Sequence, residues 1–181
     1  HMAYSVSKSF LSTAYGFALD EGKITRETRF VDVFPEFKNK KDKYLEKLTI
    51  HQLLCMTAGK QTAIRGSKSD DWLKVFVKAK WIFEPGTSWR YVNDNYYIAS
   101  KMLCKVLGES ITEYLTPRLF EPLGIEVPFW EHSPDGVEAG GWGLMLKTED
   151  IAKLVLCYQN KGEYNGVQVI PEWWTREATS F

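Results

Sequence analysis

Apolar residues recur at three- and four-residue spacing from about Val6 to Glu21, where Phe10, Leu11, Ala14, Phe17 and Ala18 form one face. That period predicts an amphipathic helix, and Gly22 supplies the residue that ends it. Ile24 to Lys47 is charged and aperiodic, apart from Phe30, Val31, Val33 and Phe34 ahead of Pro35, and reads as irregular chain. Thr49 is placed to cap a short helix through Leu54 that closes at Gly59. Lys60 to Ser69 is polar and reads as a surface loop. Ser69 or Asp70 then caps a helix to about Ala79, with Trp72, Leu73, Phe76 and Val77 turned inward. Glu84-Pro85-Gly86-Thr87 is a turn.

The second half continues in the same manner. A helix is expected from about Asn95 to Leu107, stopped by Gly108. Ser110-Ile111-Thr112-Glu113 is a capping-box sequence opening a helix that Pro117 bounds. Thr148, with Glu149 and Asp150 behind it, caps a helix through about Gln159 that ends at Gly162. Asn165-Gly166 reads as a tight hairpin turn, and Pro171 starts a last helix at its first position. The pattern gives about seven helices, little strand, and no repeat or linker.

Composition narrows the function classes. Of 181 residues, 44% are hydrophobic and 25% charged, as in a globular protein with its own core. The 23 basic and 23 acidic residues cancel, so no cationic excess favours nucleic acid. No apolar run approaches the roughly 20 residues of a membrane helix, and the N-terminal residues show no signal-peptide pattern. Cys55, Cys104 and Cys157 are far apart and lack metal or redox spacing. They read as small buried hydrophobes, which leans toward a cytoplasmic location. The three histidines are isolated, so no metal site is expected. His51 and His132 lack the G-x-S-x-G elbow of a Ser-His-Asp site, and Asp70-Asp71 reads as a charge pair at a helix N-terminus.

The candidate chemistry begins at Ser5-Val6-Ser7-Lys8. Three residues are nearly one helical turn, so Ser5 and Lys8 share a face. A serine hydroxyl needs a base within hydrogen-bond reach. An amine serves only if burial or the helix dipole lowers its pKa. The Ser5 backbone N–H also faces a developing oxyanion. Alone, such a motif arises about once by chance in a chain this long. Its company is Tyr91-Val92-Asn93. A phenol beside a lysine ionises more readily and can move a proton. An asparagine offers both donor and acceptor to a substrate amide.

These segments also resemble, in order, a known family. Tyr4-Ser5-Val6-Ser7-Lys8-Ser9-Phe10, with Ala18 to Ile24, is similar to the nucleophile helix of class C β-lactamase-like and penicillin-binding-protein-like serine hydrolases. Thr49 to Gly59, Phe83 to Asn93, Leu119 to Ile125, and Gly140-Gly141-Trp142-Gly143 through Asp150 resemble further family blocks. The resemblance implies Ser5 as nucleophile, Lys8 as its proton partner, Tyr91 as second acid/base and Asn93 as a substrate-amide contact. It implies a small amide or ester substrate and no cofactor. Two departures stand out: Cys55-Met56-Thr57-Ala58-Gly59 replaces the usual His-Thr-Ser-Gly ending, and the family's Lys/His-x-Gly strand is missing.

The expected fold is therefore mainly α. It is the helical portion of the β-lactamase/transpeptidase-like α+β fold, with the antiparallel sheet largely missing from this chain. Residues 1–181 would form one helix-rich domain, a piece of a larger serine hydrolase. Such a piece is expected to be a weak catalyst and to self-associate through the face that packs on the sheet. Two alternatives stand beside the hydrolase: a binding or sensor module without turnover, and an isolated helical subdomain.

Overall fold

A computed structural model describes residues 1–38, 42–64 and 66–180. Among them are eight α-helices: α1 (Ser7–Asp20), α2 (Phe30–Val33), α3 (Ile50–Leu54), α4 (Trp72–Lys78), α5 (Asn93–Leu107), α6 (Ile111–Leu115), α7 (Thr148–Gln159) and α8 (Glu172–Ala178). The one sheet with named strands is a hairpin, β1 (Glu163–Tyr164) with β2 (Val167–Gln168), paired antiparallel.

The hairpin forms where its turn residues predict it. Asn165 and Gly166 both have positive φ, +49° and +78°, the geometry of a two-residue turn that follows strand twist. Local chemistry also fixes α3 and α6. Thr49 and Gln52, and Ser110 and Glu113, satisfy each other's backbone N–H groups in capping boxes.

Several expected boundaries move. The segment read as irregular contains α2 and a 3-10 turn, Pro35–Phe37. A four-residue helix cannot stand on propensity; here Phe30 N–H donates to Leu48 O and Ile50 N–H to Thr28 O, which ties the segment to the core. Asp71, rather than Ser69 or Asp70, caps α4, because its carboxylate accepts the Lys74 N–H at 2.9 Å. The fifth helix starts at Asn93 instead of Asn95. Pro117 bounds α6, which ends at Leu115 as expected, but the chain goes on directly into a π-helical turn, Thr116–Phe120, which needs no N–H from Pro117. Thr148 is the first helical residue rather than the cap, and Asp150 accepts from the Lys147 N–H. Pro171 is itself the N-cap of α8, with an extended ψ of 129°. The third helix runs through Leu54 as expected, and only its closure differs, with Met56 at φ +60° turning the chain ahead of Gly59.

Two helices organise the molecule. The inner one, α5, is buried from Asp94 to Ser100 and packs against α1, α2, α3, α4 and α6. Helix α1 buries Phe10, Leu11, Ala14, Tyr15 and Phe17. Gly16 lets α8 close on it: a β-carbon there would lie 2.3 Å from the Trp174 ring. Trp174 also meets Tyr15 edge-on at 5.5 Å, while Trp173 reaches Asp20 at 2.6 Å. Cysteine placement differs from expectation in one case. Cys157 is buried and Cys104 half-buried, but Cys55 is exposed, at the C-cap of α3.

Candidate active site

Ser5 lies in a 3-10 turn, Tyr4–Val6, that leads into α1. Tyr4 has φ +45°, a region that a side chain with a β-carbon enters only when its surroundings hold it there. Residues 143–146 hold it. Ala3 N–H donates to Leu144 O at 2.7 Å, and the buried Ser7 hydroxyl donates to Tyr4 O at 2.6 Å while accepting the Leu144 N–H at 3.2 Å.

Lys8 sits in the first turn of α1, only 8% exposed. Its Nζ donates to Ser5 Oγ at 3.1 Å, Asn93 Oδ1 at 2.8 Å and Gly141 O at 2.6 Å. Three acceptors match the three N–H bonds of an ammonium. The same nitrogen lies 5.0 Å from the centroid of the Tyr91 ring and 5.5 Å from that of Tyr96.

Tyr91 and Asn93 straddle a change in backbone. Tyr91 belongs to an extended segment docked on residues 56 and 57: Arg90 N–H donates to Met56 O at 3.0 Å, and Gly86 N–H to Thr57 O at 2.8 Å. Asn93 is the first residue of α5. The bend between them sends both side chains to Lys8. Tyr91 Oη stands 2.7 Å from Ser5 Oγ, and either can be the donor. Burial alone would raise the Tyr91 pKa, but the Lys8 ammonium and the Ser5 hydroxyl outweigh it and lower the phenol.

The structure thus brings together all four residues singled out in the sequence: Ser5, Lys8, Tyr91 and Asn93. It adds Gly141, whose carbonyl is the third acceptor of Lys8. That carbonyl can approach because positions 140 and 141 carry no β-carbon. One at Gly140, where φ is +67°, would lie 2.8 Å from both Ser100 Cβ and Tyr96 O; one at Gly141 would lie 3.0 Å from Tyr96 Cβ. The Gly-Gly pair was a sequence signal, but its partner is 133 residues away.

A cleft of about 100 Å³ opens beside Ser5, lined by Tyr4, Thr62, Asn93, Asp94 and Trp142. A wider groove of about 560 Å³ runs along the other side of Lys8, between Val6 and Tyr96 and the α7 residues Leu154, Val155 and Tyr158.

Neither histidine of interest is a partner of this cluster. His51 Nδ1 is 3.3 Å from Tyr15 Oη, and its Nε2 is 3.5 Å from Cys55 Sγ. Burial lowers the His51 pKa and raises that of Cys55, the opposite of an activated thiolate–imidazolium pair. His132 pairs with Glu138 in an isolated bridge. Among the described residues no group of three or more His, Cys, Asp or Glu side chains is placed to hold a metal. No helix among them is long and apolar enough to cross a membrane.

Comparison with known proteins supplies the family. The family model described as beta-lactamase matches residues 1–170. The chain belongs to the beta-lactamase family. A curated relative of this beta-lactamase-family chain is penicillin-binding protein 4 of Amycolatopsis lactamdurans, 30% identical over 127 residues, which are 67% of this chain and 33% of that protein. The D-aminopeptidase of Gluconobacter oxydans is 43% identical over 44 residues, 24% of this chain and 8% of that protein. Among solved structures, a Bacillus anthracis protein described as a candidate 6-aminohexanoate-dimer hydrolase superposes with a TM-score of 0.84 at 21% identity, covering 98% of this chain and 52% of that one. The penicillin-binding protein of Bacillus halodurans gives 0.72 at 20% identity, covering 96% and 63%. The chain therefore spans about a third of the first curated relative and about half of the first solved one. Its described residues form the helix-rich portion of that α+β fold, with a single hairpin of sheet.

Proposed function

We propose that this beta-lactamase-family chain carries the nucleophile half of a serine hydrolase that cleaves an amide or ester through an acyl-enzyme on Ser5. The observation that supports it most is the hydrogen-bond cluster around Lys8, which gathers Ser5, Asn93 and Gly141 and stands against Tyr91.

The roles follow from the donors and acceptors. With all three N–H bonds of Lys8 committed to acceptors, the ammonium acts as a fixed positive charge and donor. Tyr91, whose pKa is lowered, acts as the phenolate: its Oη takes the Ser5 proton and becomes the neutral phenol as Oγ bonds to the carbonyl carbon. The tetrahedral oxyanion forms near the Ser5 backbone N–H. As it collapses, Tyr91 returns the proton to the departing amine or alcohol. Water repeats the sequence and releases the acid. Asn93 turns Oδ1 to Lys8, which leaves its Nδ2 to donate to a substrate amide oxygen. The relatives named as penicillin-binding protein and D-aminopeptidase favour amide substrates.

The 181 residues act as one helix-rich domain of a larger enzyme, in keeping with their covering 33% of the first curated relative and 52% of the first solved one. The open groove beside Lys8, with Val155 exposed on α7, favours association with a second copy, and a homologue from Pyrococcus abyssi is octameric. Size-exclusion chromatography with light scattering tests that, and a strictly monomeric chain contradicts it.

The hydrolase reading is tested by rapid-mixing kinetics with p-nitrophenyl acetate. A burst of p-nitrophenol near one equivalent, absent from Ser5→Ala, is expected. Equal release by both proteins sinks the assignment. A burst with no later turnover would instead support the binding or sensor alternative.

A further inference from the structure

The residue after Asn93 has no role in the steps above, yet it is among the best satisfied charges in the molecule. Asp94 is 1% exposed. Its Oδ1 accepts from Thr62 Oγ1 at 3.0 Å, and its Oδ2 accepts from the Ala63 N–H at 2.7 Å and the Ile64 N–H at 2.9 Å. A buried carboxylate is stable only when its lone pairs are met. Here they are met by three consecutive residues of a segment whose polar sequence reads as a surface loop.

That segment is anchored at its other end as well. Lys60 pairs with Trp81, Gln61 N–H donates to Lys80 O at 2.9 Å, and Ile82 N–H donates to Gly59 O at 2.7 Å. Between the two anchors, Thr62 lines the Ser5 cleft together with Asp94, Asn93, Tyr4 and Trp142. Asn93 and Asp94 are adjacent at the start of α5, so one helical turn fixes both the polar contact to Lys8 and the position of this wall.

We propose that Asp94 is a positioning residue that holds the segment Thr62 to Ile64 so that Thr62 forms one wall of the acyl cleft, and so sets how well a bulky acyl group is seated on Ser5. The inference rests on the reading of Ser5 as nucleophile. It adds a determinant of specificity that makes no bond to the reacting atoms.

The geometry separates charge from hydrogen bonding. In Asp94→Asn, the carbonyl oxygen can still accept from Ala63 and Ile64, while the amide nitrogen donates to Thr62 Oγ1, which accepts as readily as it donates. The wall stays in place without the charge. Asp94→Ala removes every acceptor and takes the partner from the part-buried Ala63 N–H and the buried Ile64 N–H.

The experiment measures acylation of Ser5 by p-nitrophenyl acetate and p-nitrophenyl phenylacetate, which share a leaving group and differ in acyl size. Misplacing a binding wall by about 1 Å can cost about 100-fold, so the phenylacetyl-to-acetyl rate ratio should fall about 10- to 100-fold in Asp94→Ala. Asp94→Asn should keep the wild-type ratio. Hydrogen exchange at the Ala63 and Ile64 amides, which needs no activity, should speed up in Asp94→Ala and stay protected in Asp94→Asn. An unchanged ratio in an acylating Asp94→Ala, or an Asp94→Asn that behaves like it, overturns the role of Asp94 alone. A wild-type chain that neither ester acylates overturns the Ser5 reading and the acyl-size role with it. Should Asp94→Ala fail to fold, Asp94→Glu replaces it. The extra methylene shifts the wall while keeping the acceptors, so the ratio should again fall, and an unchanged ratio overturns the proposal.

Discussion

Gly140→Ala perturbs the link between the core and the Lys8 cluster. Position 140 has φ +67°, so any residue with a β-carbon there takes a left-handed conformation at a cost of about 1–2 kcal/mol. The new carbon would also lie 2.8 Å from Ser100 Cβ, 2.8 Å from Tyr96 O and 2.9 Å from Leu11 Cδ2. Carbon contacts are comfortable at about 3.5–4 Å, so a shift of roughly 1 Å is needed. Two of the three neighbours belong to α5 and cannot move alone. Overpacking of this kind costs about 1–3 kcal/mol, for a total of about 2–5 kcal/mol. A typical domain has about 5–15 kcal/mol in hand, so the variant should fold but unfold at lower urea. The segment that relieves the clash carries Gly141 O away from Lys8 Nζ, and displacement on that scale should slow Ser5 acylation by about 10- to 100-fold. Gly136→Ala is the control. Its φ is +81° with nothing within 4 Å of the added carbon, so it bears the conformational cost alone. Urea denaturation and ester acylation of the two variants, side by side, make the assay. The reasoning is refuted if Gly140→Ala loses no more stability than Gly136→Ala, or if it loses stability while acylating at the wild-type rate.

Tyr91→Phe should slow acylation by about 100- to 10,000-fold if the phenolate is the base. In the wild type the rate should rise with pH through an apparent pKa below that of free tyrosine, because Lys8 and Ser5 lower the phenol, and this limb should vanish in the variant. A wild-type pH profile in Tyr91→Phe contradicts the role. Lys60 gives a prediction about stability. It is 1% exposed, donates to Val77 O and Ala79 O at 2.8 and 2.9 Å, and lies 3.9 Å from the Trp81 ring centroid. Burial lowers its pKa from 10.5 to about 8. Between those values the unfolded chain holds more protons at this residue than the folded one, so its contribution to stability rises with pH across that window. The effect is at most about 3 kcal/mol, since each pKa unit is worth about 1.4 kcal/mol and the indole face favours the cation. Lys60→Met should lack this component. Unfolding free energies of the two proteins at about pH 7.5 and about pH 9.5 test it, and parallel pH dependence in both would count against it.

What the sequence shows and what it hides divides by range of interaction. The Thr49 cap, the Ser110 capping box and the Asn165-Gly166 hairpin depend on residues within a few positions of one another, and they stand where they were expected, with Gln52 completing a second box at Thr49. The Ser5–Lys8 pair is local too, and the spacing places both on one side. The missed parts are long-range. Helix α2 depends on a bridge between residues 29 and 49. The third acceptor of Lys8 lies on Gly141, and the polar run after Lys60, a largely exposed loop as expected, is also pinned by Asp94. Ser7 has no periodicity to mark it, yet it bridges Tyr4 and Leu144 and holds the nucleophile turn in its left-handed conformation. Cys55 looked like core because its neighbours are apolar, but it falls at a helix end and faces solvent.

The central claim is that Ser5 is activated by the Lys8 and Tyr91 cluster. Intact-mass spectrometry after incubation with a fluorophosphonate, and separately with a penicillin, tests it most directly. A single adduct on the wild-type chain, mapped to Ser5 and absent from Ser5→Ala, is the predicted result, with penicillin labelling pointing to β-lactam recognition. An adduct of equal yield on Ser5→Ala, or none on a folded wild-type chain from either reagent, would contradict it.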